Sequence, residues 1–287
     1  MGLAETGLIE TGPVNAGSVE SGSVDARPDE TTTPVDAAAV DAAAVDTAAV
    51  DTGTVVVPAV DAAAQQKLIA FVALLHRWNR VYNLTATREP EAMIGRHLLD
   101  SLALLKTLAM PLTELMAMPT ARPVASVDSR NHDRFDVIDI GTGAGLPVLP
   151  LAIARPDLRF LSVESNGKKT RFQRQALIEL GIDNVRVQQV RVEHLTASAP
   201  RVTSRAFTAP DAFLEQARRL LLDGGEAIVM LGRAEALPDP LPQGFSRVSL
   251  EAVRVPGVDG ERHLAVCALG SARSGSEIPE MHYTCRS

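Results

Sequence analysis

The sequence predicts an α/β protein: a mostly parallel sheet with helices on both faces, a helical extension before it and an antiparallel hairpin at one edge. Three observations carry this. A short apolar run, Phe135-Asp136-Val137-Ile138-Asp139-Ile140, breaks into glycines at every second position, Gly141-Thr142-Gly143-Ala144-Gly145, and apolar residues resume at helical spacing from Leu146 to Ala154. Strand-like and helix-like segments then alternate. Finally, Ser246 to Val253 and Arg262 to Leu269 alternate apolar and polar residues as paired edge strands do.

Composition narrows the class. The 287 residues suffice for one large or two modest domains, and 46% hydrophobic with only 3% aromatic content predicts an aliphatic interior. No apolar run reaches the ~18 to 20 residues of a membrane span. The acidic N-terminus has no basic region ahead of an apolar one, so neither anchor nor signal peptide is expected. Cys267 and Cys285 lack a companion ligand cluster, which predicts a reduced, cytoplasmic protein without a metal. The net charge of -7 is unevenly spread: residues 1–60 hold ten acids and one base, leaving 27 bases and 25 acids for the rest. That slightly basic remainder keeps nucleic acid open as a substrate.

Residues 1–60 repeat Val-Asp at a loose five-residue period, from Val35-Asp36 to Val50-Asp51, which suits neither a helix face nor a strand face. Without large apolar residues they read as a disordered, acidic, low-complexity tail. From Gln65 to Tyr82, Leu68, Phe71, Val72, Leu75, Trp78 and Tyr82 recur at three and four residues, an amphipathic helix. Asn83-Leu84-Thr85 ends it. Arg88-Glu89-Pro90 opens a second helix to about Leu108, on which an i,i+3 hydrogen bond between His97 and Asp100 is the ordinary reading. Residues 61–134, including the proline-broken link from 109, are expected to pack on a core of 135–271. Residues 272–287 read as an unstructured tail.

Within the core, Arg159 to Glu164 predicts a second strand and Lys168 opens a helix ending before Gly181. Val185 to Val190 predicts a third strand, leading to Arg191-Val192-Glu193, where an adenine edge would meet the loop. Val202 to Ser204 predicts a fourth, leading to Arg205 at the mouth of the crevice. The helix Asp211 to Leu222, the turn Asp223-Gly224-Gly225 and the strand Ala227 to Leu231 complete the parallel part.

The glycine turn suggests the ligand. Glycine reaches φ > 0 without penalty and has no Cβ to hold a ligand off the backbone. A dinucleotide fingerprint needs a third glycine where Leu146 stands, and a phosphate-binding P-loop needs Gly-Lys-Ser/Thr, which does not follow. Asp-x-Gly-x-Gly-x-Gly fits S-adenosylmethionine better; an ordinary tight βα turn is the competing reading. Glu164, 23 residues past Gly141 at the end of strand two, is placed to accept from both ribose hydroxyls of an adenosine cofactor. The bases Lys168, Lys169, Arg171 and Arg174 read either as a solvated helix face or as phosphate contacts to an RNA. Repeated βα units with an antiparallel end and an acid closing strand two describe the Rossmann-like sheet of class I S-adenosylmethionine-dependent methyltransferases.

Five motifs go further: Arg77-Trp78-Asn79-Arg80-Val81-Tyr82-Asn83-Leu84-Thr85, Arg96-His97-Leu98-Leu99-Asp100-Ser101, Asp139-Ile140-Gly141-Thr142-Gly143-Ala144-Gly145-Leu146-Pro147, Ser204-Arg205-Ala206-Phe207 and Asp259-Gly260-Glu261-Arg262-His263. Together and in this order they resemble the ribosomal small-subunit methyltransferase G family, also called glucose-inhibited division protein B, over roughly residues 62 to 270. The resemblance implies methyl transfer from S-adenosyl-L-methionine to N7 of a guanine in 16S ribosomal RNA, with the small ribosomal subunit as partner and a monomeric, cytoplasmic enzyme. It places cofactor contacts on Gly141, Leu146, Val192, Glu193 and Arg205, to which the residue pattern adds Gly143, Gly145 and Glu164. RNA contacts are expected from Asn83, Arg96, His97, Lys168, Lys169, Arg171 and Arg233. Four positions depart from the family pattern: Ala144 and Val148 stand for a proline and a glycine, Leu231 for a lysine, and Glu164 for an aspartate.

No catalytic side chain is assigned. Guanine N7 has an in-plane lone pair and the sulfonium is already an activated leaving group, so proximity and alignment are expected to dominate. A small-molecule methyltransferase and a non-catalytic ribosome-assembly factor are the alternative readings.

Overall fold

A computed structural model describes residues 60–109, 134–205 and 208–270. The acidic segment before Val60, most of the 109–134 link, Ala206-Phe207, Cys285 and the C-terminal tail lie outside the described residues.

The first helix, α1 (Ala62–Tyr82), starts where Asp61 caps it: the carboxylate accepts from the Ala64 amide at 2.7 Å. It stops where Asn83 turns left-handed at φ 49°. Phe71 and Trp78 from its apolar face meet Phe172 at ring-centroid distances of 6.2 and 5.7 Å, which docks the helix on the core. The next helical stretch begins with Pro90 at its first position and is not regular. A short α2 (Pro90–Met93) widens into a π-helical turn, Ile94–Leu99, before α3 (Asp100–Leu102) and a 3-10 turn, Ala103–Leu108. The single predicted helix is thus corrected to a composite one. Its widened turn carries the Arg96-His97 motif.

Seven strands follow in one sheet: β1 (Val137–Ile140), β2 (Phe160–Glu164), β3 (Val185–Gln189), β4 (Ala199–Ser204), β5 (Leu221–Leu231), β6 (Phe245–Ala252) and β7 (His263–Leu269). Their order is β3-β2-β1-β4-β5-β7-β6, parallel through β5 and antiparallel for β7 and β6. Connecting helices are α4 (Val148–Ala154), α5 (Gly167–Leu180) and α6 (Pro210–Leu220). The chain winds outward from β1 through β2 to β3, then returns to β4 on the other side. The carboxyl ends of β1 and β4 therefore flank the switch-point crevice of an open α/β sheet.

Burial explains why the central strands read as continuous apolar runs. On one face Val137, Phe160, Ile228 and Leu264 join the apolar sides of α1, the 90–108 stretch, α4 and α5. On the other, Ile138, Ile140, Leu161, Val163 and Val202 pack with Phe213, Leu214 and Ala217 of α6.

Two strand boundaries differ from the sequence reading. β4 begins at Ala199 rather than Val202, because the buried Arg201 is tolerated in the sheet centre beside Glu226 on the paired strand, Nε to Oε2 3.4 Å. Asp223-Gly224-Gly225 is a wide bulge within β5 rather than a turn before it: Leu221 pairs with Ala199, but Glu226 already pairs with Arg201. A Cβ at Gly225 would stand 2.7 Å from the Pro200 carbonyl oxygen, so the bulge requires glycine there.

Candidate functional site

The glycine turn is held from beneath by a buried polar network. Thr142 Oγ1 and Ser162 Oγ are 2.9 Å apart, and Gln173 Nε2 donates to Thr142 Oγ1 at 2.8 Å and to the Gly143 carbonyl at 2.7 Å. Ser162 Oγ donates to Gln173 Oε1 at 2.5 Å, which satisfies the remaining buried oxygen. Sequence reasoning missed Gln173 because it sits among bases. The available signal was its position beside Phe172 and three before Ala176, on the inward side of α5. Gly145 has φ 80°, and a Cβ there would lie 2.6 Å from Leu149 Cδ1, so that position is closed to any side chain.

Glu164 ends β2 with both carboxylate oxygens engaged. Oε2 accepts from the Gly143 amide at 2.8 Å and Oε1 from the Asn166 amide at 2.8 Å. A carboxylate has about four acceptor sites, so one on each oxygen remains for a ligand. Beside it opens a cavity of about 320 Å³ lined by Gly141, Glu164, Lys169, Arg191, Val192 and Glu193, among others. Glycine backbone, an oriented carboxylate and the loop after β3 together fit an adenosine with its ribose diol.

Asp139, two residues before the turn, is fully buried. Its Oδ2 accepts from the Val148 amide at 3.2 Å, while Oδ1 meets no donor among the described residues. Burial pushes its pKa well above the ordinary carboxylate range; the Val148 amide and the Arg205 charge oppose that rise, and Glu164 adds to it.

A second polar cluster lies across β1 from the cavity. Asn79 is buried and braces the loop after α1: its Nδ2 donates to the Thr87 carbonyl and its Oδ1 accepts from the Thr85 amide, each at 2.9 Å. Thr85 Oγ1 meets His97 Nε2 at 2.8 Å, and His97 Nδ1 faces Arg205 at 3.5 Å. A guanidinium only donates, so Nδ1 is the acceptor and the Nε2 proton points to Thr85. Burial, and then the Arg205 charge, lower the His97 pKa from 6.5 to about 4. Arg205 also donates to Asp100 Oδ2 at 3.3 Å, and Arg262 Nε donates to Asp100 Oδ1 at 3.0 Å. Four of the five sequence motifs thus meet in one chain of contacts, and the fifth joins electrostatically through Asp139 and Arg205.

A profile of the family described as rRNA small subunit methyltransferase G, GidB, matches residues 64–113 and 121–263. The chain belongs to that family. Three proteins named ribosomal RNA small subunit methyltransferase G are among its relatives. That of Chromohalobacter salexigens is 42% identical over 208 residues, covering 71% of this chain and 88% of that protein. Those of Azoarcus sp. and Neisseria gonorrhoeae are 42% and 39% identical, covering 74% and 73% of this chain and 90% and 91% of theirs.

Within this chain the expected site residues separate into groups. Gly141, Glu164, Val192 and Glu193 line the cavity, and Gly143 is tied to Glu164. Gly145 and Leu146 shape the turn instead: the Leu146 side chain is buried in the core and its amide donates to the Thr142 carbonyl. Arg205 belongs to the second cluster. Lys169, expected on the RNA face, lines the cavity, with Nζ 3.9 Å from where a Gly143 Cβ would stand. His97 is buried with both ring nitrogens engaged, which corrects its expected exposure to RNA, and its Asp100 partner is replaced by Thr85 and Arg205. Asn83, Arg96, Lys168, Arg171 and Arg233 are exposed. Leu231, where the family pattern has lysine, is buried in the core, leaving Arg233 as the exposed cation beyond β5.

Proposed function

We propose that this chain transfers a methyl group from S-adenosylmethionine to N7 of a guanine in 16S ribosomal RNA, acting in the cytoplasm on the small ribosomal subunit. The observation that carries this reading is Glu164, a buried carboxylate fixed by two backbone amides at the wall of an adenosine-sized cavity, in a chain of the methyltransferase G family. Among the described residues no helix is long and apolar enough to cross a membrane.

The cofactor supplies a methyl group already activated by its sulfonium. Glu164 orients the ribose through its two open acceptor sites. The Thr142, Ser162 and Gln173 network keeps the glycine turn rigid, so the cofactor is bound without a further ordering cost to the loop. Guanine N7 loses no proton before attack, so no side chain has to serve as general base. Alignment of base and methyl therefore carries the rate, and effects of this kind supply several kcal/mol. Arg205, at the end of β4 beside Asp139, borders the reacting end of the crevice. Lys168, Arg171, Arg96 and Arg233 are exposed cations suited to RNA phosphate.

The test is transfer of labelled methyl from S-adenosylmethionine to 30S subunits lacking the modification, followed by mapping of the nucleotide. One N7-methylated guanine is expected. Cofactor bound without transfer would replace this reading with an assembly factor, and transfer only to small molecules would replace the substrate.

A further inference from the structure

We propose that Asp100 is a positioning residue for methyl transfer: its carboxylate, held between Arg205 and Arg262, fixes the Arg205 guanidinium at the reacting end of the crevice. This rests on the functional reading above for the reaction, and on geometry for the residue.

Thr203 pairs with Asp139 across β4 and β1, so Arg205 leaves β4 two residues beyond the buried carboxylate at the switch point. Among the described residues, the acceptors of its guanidinium all come from one short segment: the Arg96 carbonyl at 3.1 Å, His97 Nδ1 at 3.5 Å and Asp100 Oδ2 at 3.3 Å. The π-helical turn makes this possible. In a regular α-helix the Asp100 amide would occupy the Arg96 carbonyl. Here it donates to the Gly95 and His97 carbonyls, and the Arg96 oxygen receives Arg205 instead.

Asp100 is itself immobilised from the opposite side. Arg262 reaches its other oxygen, and Arg262 Nη1 is anchored on the Asp259 and Gly260 carbonyls at 3.2 and 2.9 Å. The loop that carries these residues is keyed to the same turn: a Cβ on Gly95 would stand 2.4 Å from Val258 Cγ2. Side-chain exposures of 13% for Asp100, 18% for Arg205 and 22% for Arg262 leave the pairs weakly screened, unlike the surface pair Arg77–Glu179 at 57% and 35%. Two cations share one anion, so Arg205 is held without being neutralised. A guanidinium has five N–H groups. Among the described residues its bonds use both hydrogens of Nη1 and one of Nη2, which leaves Nε and one Nη2 hydrogen for an oxygen acceptor at the transfer step.

The test compares wild type with Asp100→Asn and Asp100→Glu. For each protein, S-adenosylmethionine affinity is measured by calorimetry, single-turnover transfer to unmodified 30S subunits by label, and unfolding by temperature. Because Asp100 lies outside the cavity, Asp100→Asn is expected to leave cofactor affinity within about two-fold while slowing transfer on the order of 10- to 100-fold, the scale of a small misplacement at a reacting centre. Asp100→Glu, which restores the charge, is expected to recover part of the rate. On thermal unfolding, a double variant of Asp100→Asn with Arg205→Gln should melt no lower than the worse single variant. Transfer by Asp100→Asn at the wild-type rate overturns the proposal, as does a parallel loss of cofactor affinity, transfer and melting temperature, or additivity of the two substitutions. Absence of transfer by wild type overturns the functional reading itself and this role with it.

Discussion

At the scale of single residues, Glu164 does two jobs with one carboxylate. It closes the glycine turn through the Gly143 amide and starts α5 through the Asn166 amide, and it keeps acceptor capacity for the ligand. Glu164→Ala removes both kinds of contact. Charge-assisted hydrogen bonds contribute about 1.5 to 3 kcal/mol each, so calorimetry should show S-adenosylmethionine affinity falling on the order of 100-fold. Affinity unchanged in that variant would remove the ribose contact. The place of Glu164 at the end of β2 was legible in the sequence, because an apolar run closed by an acid marks where a buried strand meets the crevice. The contacts made by His97, Asp100 and Gln173 were not. Their partners, Thr85, Arg205, Arg262, Ser162 and Thr142, are distant in sequence, and no local spacing reports a contact made by tertiary packing.

At the scale of elements, α5 shows how one helix serves two surfaces. Asn166 caps it through the Lys168 and Lys169 amides and Gly181 closes it in the left-handed region; the Gly181 end was readable as a helix signal, the Asn166 cap was not. Its faces were less so: four bases in seven residues suggest one basic stripe, yet Lys168 and Arg171 are exposed while Lys169 turns to the cavity and Phe172 is buried. Replacing Lys168 and Arg171 together by Ala should weaken binding to ribosomal RNA and reduce its log-log salt slope by about 1.4 to 1.8, the release expected for two phosphate contacts. Cofactor affinity, measured by calorimetry on the same protein, should stay at the wild-type value. An unaltered salt slope would return these bases to an ordinary solvated face. Strand number and the edge hairpin were legible from apolar runs and alternation. The bulge in β5 and the widened turn at Ile94–Leu99 were not, because both depend on what packs against them: the Pro200 carbonyl in one case, Val258 and Arg205 in the other.

At the scale of the whole molecule, the buried ionisable groups give acid a definite point of attack. His97 faces Arg205 from β4, Arg96 from its own segment and the Thr85 hydroxyl from the loop after α1. Its pKa falls from 6.5 in the unfolded chain to about 4 in the fold, so its contribution to stability is complete above pH 6.5 and is lost as pH drops towards 4. Asp139, with its raised pKa, works in the other direction and favours the fold more as pH falls. Melting temperatures of wild type and His97→Gln, followed from pH 7 to 4, should converge on acidification, with the wild type losing more. Parallel curves would show that His97 does not titrate in that window. The sheet order also bears on how the molecule comes into being. A ribosome extrudes β6 before β7, yet β6 reaches the sheet only through β7, which pairs with β5. Until residue 262 has emerged and this last strand has slotted into place, Asp100 holds a single arginine, so the cluster that gathers four of the sequence motifs is the last part of the sheet's edge to close.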